Sequence, residues 1–382
     1  MSAEALAAWD ALTAHLRQWF FEPDIQALET VLTACSAHYH VEADPIWLLV
    51  IGPSRSGKTS VLVRCAEALP NAFTLSSVSS KTFISGFRAR NAGLLDRMGA
   101  SVLFLFKDFT SILSLREEDR AVVYADLREI YDGSIIKSKG TGEDKAWFGK
   151  CTIIAASTPA IDRAWGMQRD LGERFACIRL HREEDASERI AACARRQRGH
   201  EREIKSRMLD LTSRFFVLPR SQSLPTLPPV FAEQVDALSA AVAQLRGKVH
   251  REGGRLVTEA PHIEEPAGIA KVLDALLRYH ARLFFRSTPD ERDLAIARRV
   301  ALDSISPQTR RRFLLYLLDN PNAQAGELAE ACLVSRSAID RISEDLELLG
   351  VVEVKQNAIG ANEYVPQPQF LERCRRAKLL RQ

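Results

Sequence analysis

What this chain lacks sets the first limits on what it can be. No apolar run in its 382 residues approaches the ~20 needed to span a bilayer, which argues against a transmembrane helix. The opening stretch, Met1 to Leu16, carries acids where a secretory leader carries bases, and it has no continuous apolar core. The seven cysteines (Cys35, Cys65, Cys151, Cys177, Cys193, Cys332, Cys374) include no Cys-x-x-Cys pair and are odd in number. They are expected to be reduced, mostly buried thiols rather than a disulfide framework. The two signs of charge nearly balance, with 52 Lys and Arg against 49 Asp and Glu. A net charge of +3 cannot by itself indicate nucleic acid, so any such partner has to be argued from local patches. These absences predict a cytoplasmic protein.

What is present is a globular composition, 46% hydrophobic, long enough to bury cores for two or three domains. Residues 4–39 show helical periodicity with a break at Pro23. Three short continuous apolar runs follow, Ile46 to Ile51, Val102 to Phe106 and Thr152 to Ala156, with a helical stretch from Glu117 to Ile130 before the third. Strands alternating with helices predict an α/β fold with a parallel sheet flanked by helices. The expected organisation is an N-terminal helical segment over 1–39 and a nucleotide-binding core over 40–182. A helical lid region over 183–304 with a proline-rich connection (218–230) comes next, then a C-terminal domain and basic tail over 305–382.

The strongest motif is Gly52-Pro53-Ser54-Arg55-Ser56-Gly57-Lys58-Thr59, which matches Gly-x4-Gly-Lys-Thr in full between an apolar run and a helix starting near Ser60. The chemistry needs these residue types. Glycines let backbone amides curl around a phosphate, and the helix N-terminus adds a favourable dipole. Lys58 then reaches the β- and γ-phosphates, and the Thr59 hydroxyl holds Mg²⁺. Residues 52 to 60 are therefore predicted to bind ATP. The run Ser101 to Phe106 leads into Lys107-Asp108, which puts a carboxylate at a strand end, placed to bind Mg²⁺ or merely to cap the next turn. No acid follows it: the next residue is Phe109. Glu117, Glu118 and Glu129 stay open as water-activating groups.

The last segment reads as three helices and a hairpin, the pattern of a winged helix. Helix one runs from Ser306-Pro307 to Leu318, a second spans 325–332, and a third starts at the N-cap Ser335 and stops at Gly350. Val351 to Val354 and Glu363 to Val365 then alternate around Gly360. The third helix of such a domain usually enters the DNA major groove, which singles out Arg336 and Arg341, with Lys355 on the wing. Arg310, Arg311, Arg312 and the basic tail add charge for phosphate contacts. Glu344, Asp345 and Glu347 argue against deep insertion of that helix, and winged helices also serve as protein–protein modules.

Taken together these residues resemble the AAA+ family of oligomeric ATPases, in the branch with a β-hairpin before the sensor-1 strand that includes the MCM helicases. The resemblance covers roughly residues 40–305. It is carried by the phosphate loop and, more loosely, by Tyr131 to Lys150, which has the composition of that hairpin. It implies that Thr158, or Ser157 beside it, is the sensor-1 residue. It also implies that Arg174, in Leu171-Gly172-Glu173-Arg174-Phe175, is an arginine finger acting on a neighbouring subunit's γ-phosphate. Lys137 and Lys139, with Lys145 and Lys150, would touch DNA. Glu265 to Ile269 resembles the start of the lid helix, where Gly268 stands in place of the usual sensor-2 arginine and Lys271 lies one turn on. The resulting expectation is a homo-oligomeric ATPase acting on DNA, with Lys58, Asp108, Thr158 and Arg174 as its catalytic set. A nucleotide-switched DNA-binding regulator with little hydrolysis, and a protein-remodelling ATPase using the winged helix as adaptor, are the rivals.

Overall fold

The apolar runs ending at Ile51 and Phe106, and the run extended to Ser157, form the middle of a five-stranded sheet. In the computed structural model its strands are β1 (Trp47–Ile51), β2 (Ala72–Leu75), β3 (Ser101–Phe106), β6 (Lys150–Ser157) and β7 (Phe175–Arg179), with a hairpin of β4 (Ser134–Ser138) and β5 (Asp144–Phe148) inserted before β6. The order is β2-β3-β6-β1-β7, and every neighbouring pair is parallel. All five side chains of β1 are buried, because helices cover both faces. The structure describes residues 2–40, 43–79, 82–84, 93–138, 144–164, 174–181, 186–217, 223–252, 256–357 and 360–380. They cluster into two compact units, 1–226 with 275–296, and 227–274 with 297–382.

In the first unit, helices α1 (Ser2–Trp19) and α2 (Ile25–His38) precede the sheet, and Asp24 caps α2 by accepting from the Ala27 amide at 2.9 Å. A π-helical turn, Lys58–Val63, runs into α3 (Arg64–Ala66), and α4 (Leu94–Met98) follows β2. Helix α5 (Glu117–Tyr131) lays Val123, Tyr124, Leu127 and Ile130 on the sheet face made by Trp47, Leu49, Phe104, Ile153 and Cys177. Helix α2 takes the other face, where the His38 ring contacts Thr152 Oγ1 at 3.1 Å. Helices α6 (Ser187–Gln197) and α7 (Glu201–Phe215) follow β7. Phe215 packs against Trp9 and Phe284, with ring centroids 4.8 and 5.4 Å away.

The second unit holds α8 (Pro229–Arg246), the short hairpin β8 (Arg251–Glu252) and β9 (Leu256–Val257), and parts of α9 (Ala267–Leu283) and α10 (Glu291–Asp303). Then come α11 (Gln308–Asp319), β10 (Ala323–Gln324), α12 (Ala325–Cys332), α13 (Arg336–Leu348), β11 (Val352–Gln356), β12 (Asn362–Pro366) and α14 (Pro368–Arg376). Strands β10, β12 and β11 pair antiparallel in that order. Ser335 Oγ accepts from the Ala338 amide to start α13, and Gly350 at φ 70° lets the chain turn out of it. Helical spacing puts Ile339, Ile342, Leu346 and Leu349 on one face of α13; all are buried except Ile342, which is partly so.

This unit extends beyond the expected boundary at 305, because α8 is bonded into it. Gln244 Nε2 donates to the Leu349 and Gly350 carbonyls at 2.6 and 2.9 Å, and the Arg373 guanidinium donates to Gln244 Oε1. Arg310 Nη1 donates to the Leu245 and Gly247 carbonyls at 3.0 and 2.6 Å. No helix among the described residues is long and apolar enough to cross a membrane.

Candidate functional site

The Gly52–Thr59 loop leaves β1 at the C-terminal edge of the parallel sheet, the edge where such sheets place ligands. The Gly52 amide donates to the Ser157 carbonyl at 3.1 Å, which ties the loop to the end of β6. A Cβ on Gly52 would lie 2.8 Å from Ser56 Oγ and 3.1 Å from the Leu180 side chain, so the close approach needs glycine. Gly57 sits at φ 92°, left-handed backbone that a side chain would strain, and the π-helical turn starts immediately after it. The first amides of that turn have no residue one turn upstream in the helix to bond. Lys58 is buried, and its ammonium donates to the Gly52 and Pro53 carbonyls at 2.7 and 2.6 Å, with Ser56 Oγ at 3.5 Å. Thr59 Oγ1 donates to the Lys107 carbonyl at 3.1 Å. Amides, an ammonium and a hydroxyl converging on one loop form a donor set suited to a polyphosphate.

Asp108 follows Lys107 and is exposed. Its Oδ1 accepts from the Thr110 amide at 2.9 Å, capping the 3₁₀ turn Phe109–Ser114. The carboxylate therefore caps a turn and also stands next to the residue that anchors Thr59. Phe109 is fully buried, its ring 5.7 Å from Phe106 and 5.2 Å from Phe175, so core packing fills the position after the acid. Among the acids left open, Glu129 is out of reach. Tyr131, two residues on, packs against Trp47 at the start of β1, at the opposite end of the sheet from the loop. Glu117 and Glu118 are exposed at the first turn of α5.

Two features here carry little signal in the sequence. Thr110 Oγ1 meets Ser157 Oγ at 3.1 Å and Thr158 Oγ1 at 3.2 Å, and it accepts from the Thr158 amide at 3.0 Å. The ends of β3 and β6 thus share a cluster of three hydroxyls. Arg179, buried at the end of β7 and in register with Ile51, makes a two-pronged pair with Asp162 at 2.8 and 2.7 Å. That pair braces the 3₁₀ turn Pro159–Ala164 beyond Thr158. An arginine closing the apolar run Phe175 to Ile178 was the visible signal for it; Thr110 gave none beyond its spacing from Asp108.

Arg174 lies at the other end of the sheet. Its neighbour Phe175 is in register with Trp47, about four residues or ~13 Å of strand from the loop. Its guanidinium pairs with Asp132 at 2.9 and 3.2 Å and sits over the Tyr131 ring, 5.4 Å from the centroid. It is not a ligand of its own chain's loop. Residues 171–173, the rest of that expected segment, lie outside the described residues.

On the hairpin, Lys137 pairs with Asp126 at 2.6 Å and Lys145 with Asp96 at 3.4 Å. Burial raises the Asp126 pKa, and Lys137 partly offsets the shift. Lys150 donates to the Ala37 and His40 carbonyls, both at 2.8 Å, closing the C-terminal end of α2; burial lowers its pKa to about 8. Lys139 lies outside the described residues. On the opposite hairpin face Ile136 and Phe148 are 58% and 62% exposed, so that face is apolar rather than basic. In the second unit Arg336, Arg341 and Lys355 are exposed, with Glu353 3.3 Å from Lys355. Arg310 and Arg311 instead pair with Asp345 and Asp303 at 3.2 and 3.4 Å, and Arg312 donates to the Cys332 carbonyl at 3.3 Å. The arginine run expected to meet phosphates is thus occupied internally. Arg251 neutralises Glu344 and Asp345 on α13 at 3.0 and 2.8 Å. Gly268 is exposed, with nothing within 4 Å of a Cβ built there. No protein-family model matches this chain, and no curated protein matches it at a significant level.

Proposed function

We propose that this protein is an ATPase of the AAA+ type that binds ATP with Mg²⁺, assembles through shared nucleotide sites and acts on DNA. The observation that carries the reading is the complete Gly-x4-Gly-Lys-Thr loop at the C-terminal edge of a parallel sheet, with Gly57 left-handed and Lys58 held inside the loop. Lys58 exchanges two carbonyl contacts for phosphate oxygens when the triphosphate enters. Thr59 and Asp108 are the residues of this chain that would hold Mg²⁺, together with phosphate oxygens. When bound, the metal neutralises phosphate charge. Thr158 is the polar group at the end of β6 that faces the terminal phosphate in this reading.

Two further observations support assembly and DNA. Arg174 stands about a strand's length from its own loop, which suits an arginine that serves a neighbouring subunit. The second unit has the order helix, strand, two helices, two strands, the order of a winged helix, and Arg336 and Arg341 are exposed on its third helix. A nucleotide switch with little turnover is the second reading, favoured by the buried Phe109 where an activating acid would stand.

Calorimetric titration with ATP and Mg²⁺, and turnover with and without duplex DNA, test both. Turnover that rises with DNA supports the first reading, and tight binding with negligible turnover supports the second. Lys58→Ala should abolish binding or turnover. Unaltered turnover in that variant would remove the whole assignment.

A further inference from the structure

Thr110 lies where the ends of β3 and β6 meet, two residues beyond Asp108 and in contact with Thr158. We propose that Thr110 is a positioning residue that sets the direction in which the Thr158 hydroxyl points its proton, so that the site discriminates a nucleotide carrying a γ-phosphate from one without it. This rests on the nucleotide-binding reading above.

The inference follows from counting donors and acceptors. A hydroxyl has one proton to give and two lone pairs to accept with. Thr110 Oγ1 uses one lone pair on the Thr158 amide at 3.0 Å. Its proton and second lone pair are shared between Ser157 Oγ at 3.1 Å and Thr158 Oγ1 at 3.2 Å. Ser157 Oγ has a second outlet, the Thr158 carbonyl at 3.3 Å.

Two consistent proton arrangements result. In one, Thr158 donates to Thr110, Thr110 to Ser157, and Ser157 to the Thr158 carbonyl, and no proton points outward. In the other, Ser157 donates to Thr110 and Thr110 to Thr158, which leaves the Thr158 proton free for an external acceptor. An anionic oxygen arriving at Thr158 favours the second. The swing needs no backbone movement, only rotation of hydroxyls. The cluster is also joined to the loop, because the Ser157 carbonyl accepts from the Gly52 amide. With Phe109 turned into the core, no second carboxylate follows Asp108 beside these neutral groups.

The test is calorimetric titration of the full chain with ADP and, separately, with a non-hydrolysable ATP analogue. Thr110→Val removes the relay's central donor and acceptor at similar volume. A single hydrogen bond sets the scale, so the analogue should bind about five- to tenfold more weakly while ADP affinity stays within about twofold. Thr110→Ser keeps the hydroxyl and should restore the difference. Tryptophan fluorescence checks that each variant is folded, and if valine misfolds, Thr110→Ala carries the same expectation. Equal loss for both nucleotides, or no change for either, overturns the role of Thr110 while leaving nucleotide binding intact. Wild-type protein that takes up neither nucleotide overturns the function proposed above and this inference with it.

Discussion

Lowering the pH from 7 to 4 should weaken the first unit through one histidine. His38, buried at the end of α2, places Nδ1 3.1 Å from Thr152 Oγ1 and Nε2 3.2 Å from Ser101 Oγ. Burial, reinforced by the nearby Lys150 ammonium, lowers its pKa from 6.5 to about 4. The folded state therefore resists protonation that the unfolded chain accepts below 6.5. Stability is complete above that value, falls as the pH drops, and stops falling near 4. The gap of 2.5 units, at 1.36 kcal/mol each, gives a loss of about 3 kcal/mol at most. The segments that make the second unit, 227–274 and 297–382, contain no tryptophan, while Trp9, Trp19, Trp47 and Trp147 lie in the first, so tryptophan fluorescence in a urea titration does not report the second unit. His38→Gln keeps a polar side chain without a titrating group. The wild-type-minus-variant stability difference should shrink by about 3 kcal/mol between pH 6.5 and 4, while carboxylate effects common to both cancel. Parallel curves for the two proteins across that window would refute the reasoning.

Arg174→Ala should keep nucleotide affinity and lose turnover. Mixed with Lys58→Ala it should regain part of the activity if the arginine serves a neighbour, and the absence of rescue in a mixing titration would count against shared sites. In the second unit, Arg310→Ala strips a buried guanidinium from Asp345 and from two carbonyls and should cost about 2–4 kcal/mol of that unit's stability, read by differential scanning calorimetry. Arg341→Ala should leave the melting profile alone, weaken duplex binding and lower the salt slope of log K by about one. Reversal of those two patterns would mean that their assignments have been exchanged.

Local chemistry made much of the fold readable. The runs around Leu49, Leu105 and Ile154 are short and apolar on both faces, which suits interior strands, and Pro23, Ser335 and Gly350 mark helix ends by mechanisms that act within a turn. Strand β2 escaped notice because it is four residues long, lies at the sheet edge and is only partly buried. Strand β7 is shortened to the eye by Arg179, whose burial depends on Asp162, 17 residues upstream. Charge was the least legible property. Arg310, Lys137 and Lys145 look alike in sequence to Arg341, and only the folded chain brings Asp345, Asp126 and Asp96 to the first three. The loop was legible because its motif is contiguous. The hydroxyl cluster was not, since Thr110 and Thr158 are 48 positions apart and neutral.

The way α8 is bonded into the second unit bears on how the protein can be cut. A fragment excised at Ser306, the edge that helical periodicity marks, would discard the carbonyls of Leu245 and Gly247 to which Arg310 donates. It would also strip Gln244 from the turn at Leu349 and Gly350 and from Arg373. Such a piece lacks bonds that hold its first helix and its last turn in the intact chain, and a gel shift measured on it would not describe that chain. A cut upstream of Pro229 retains those partners.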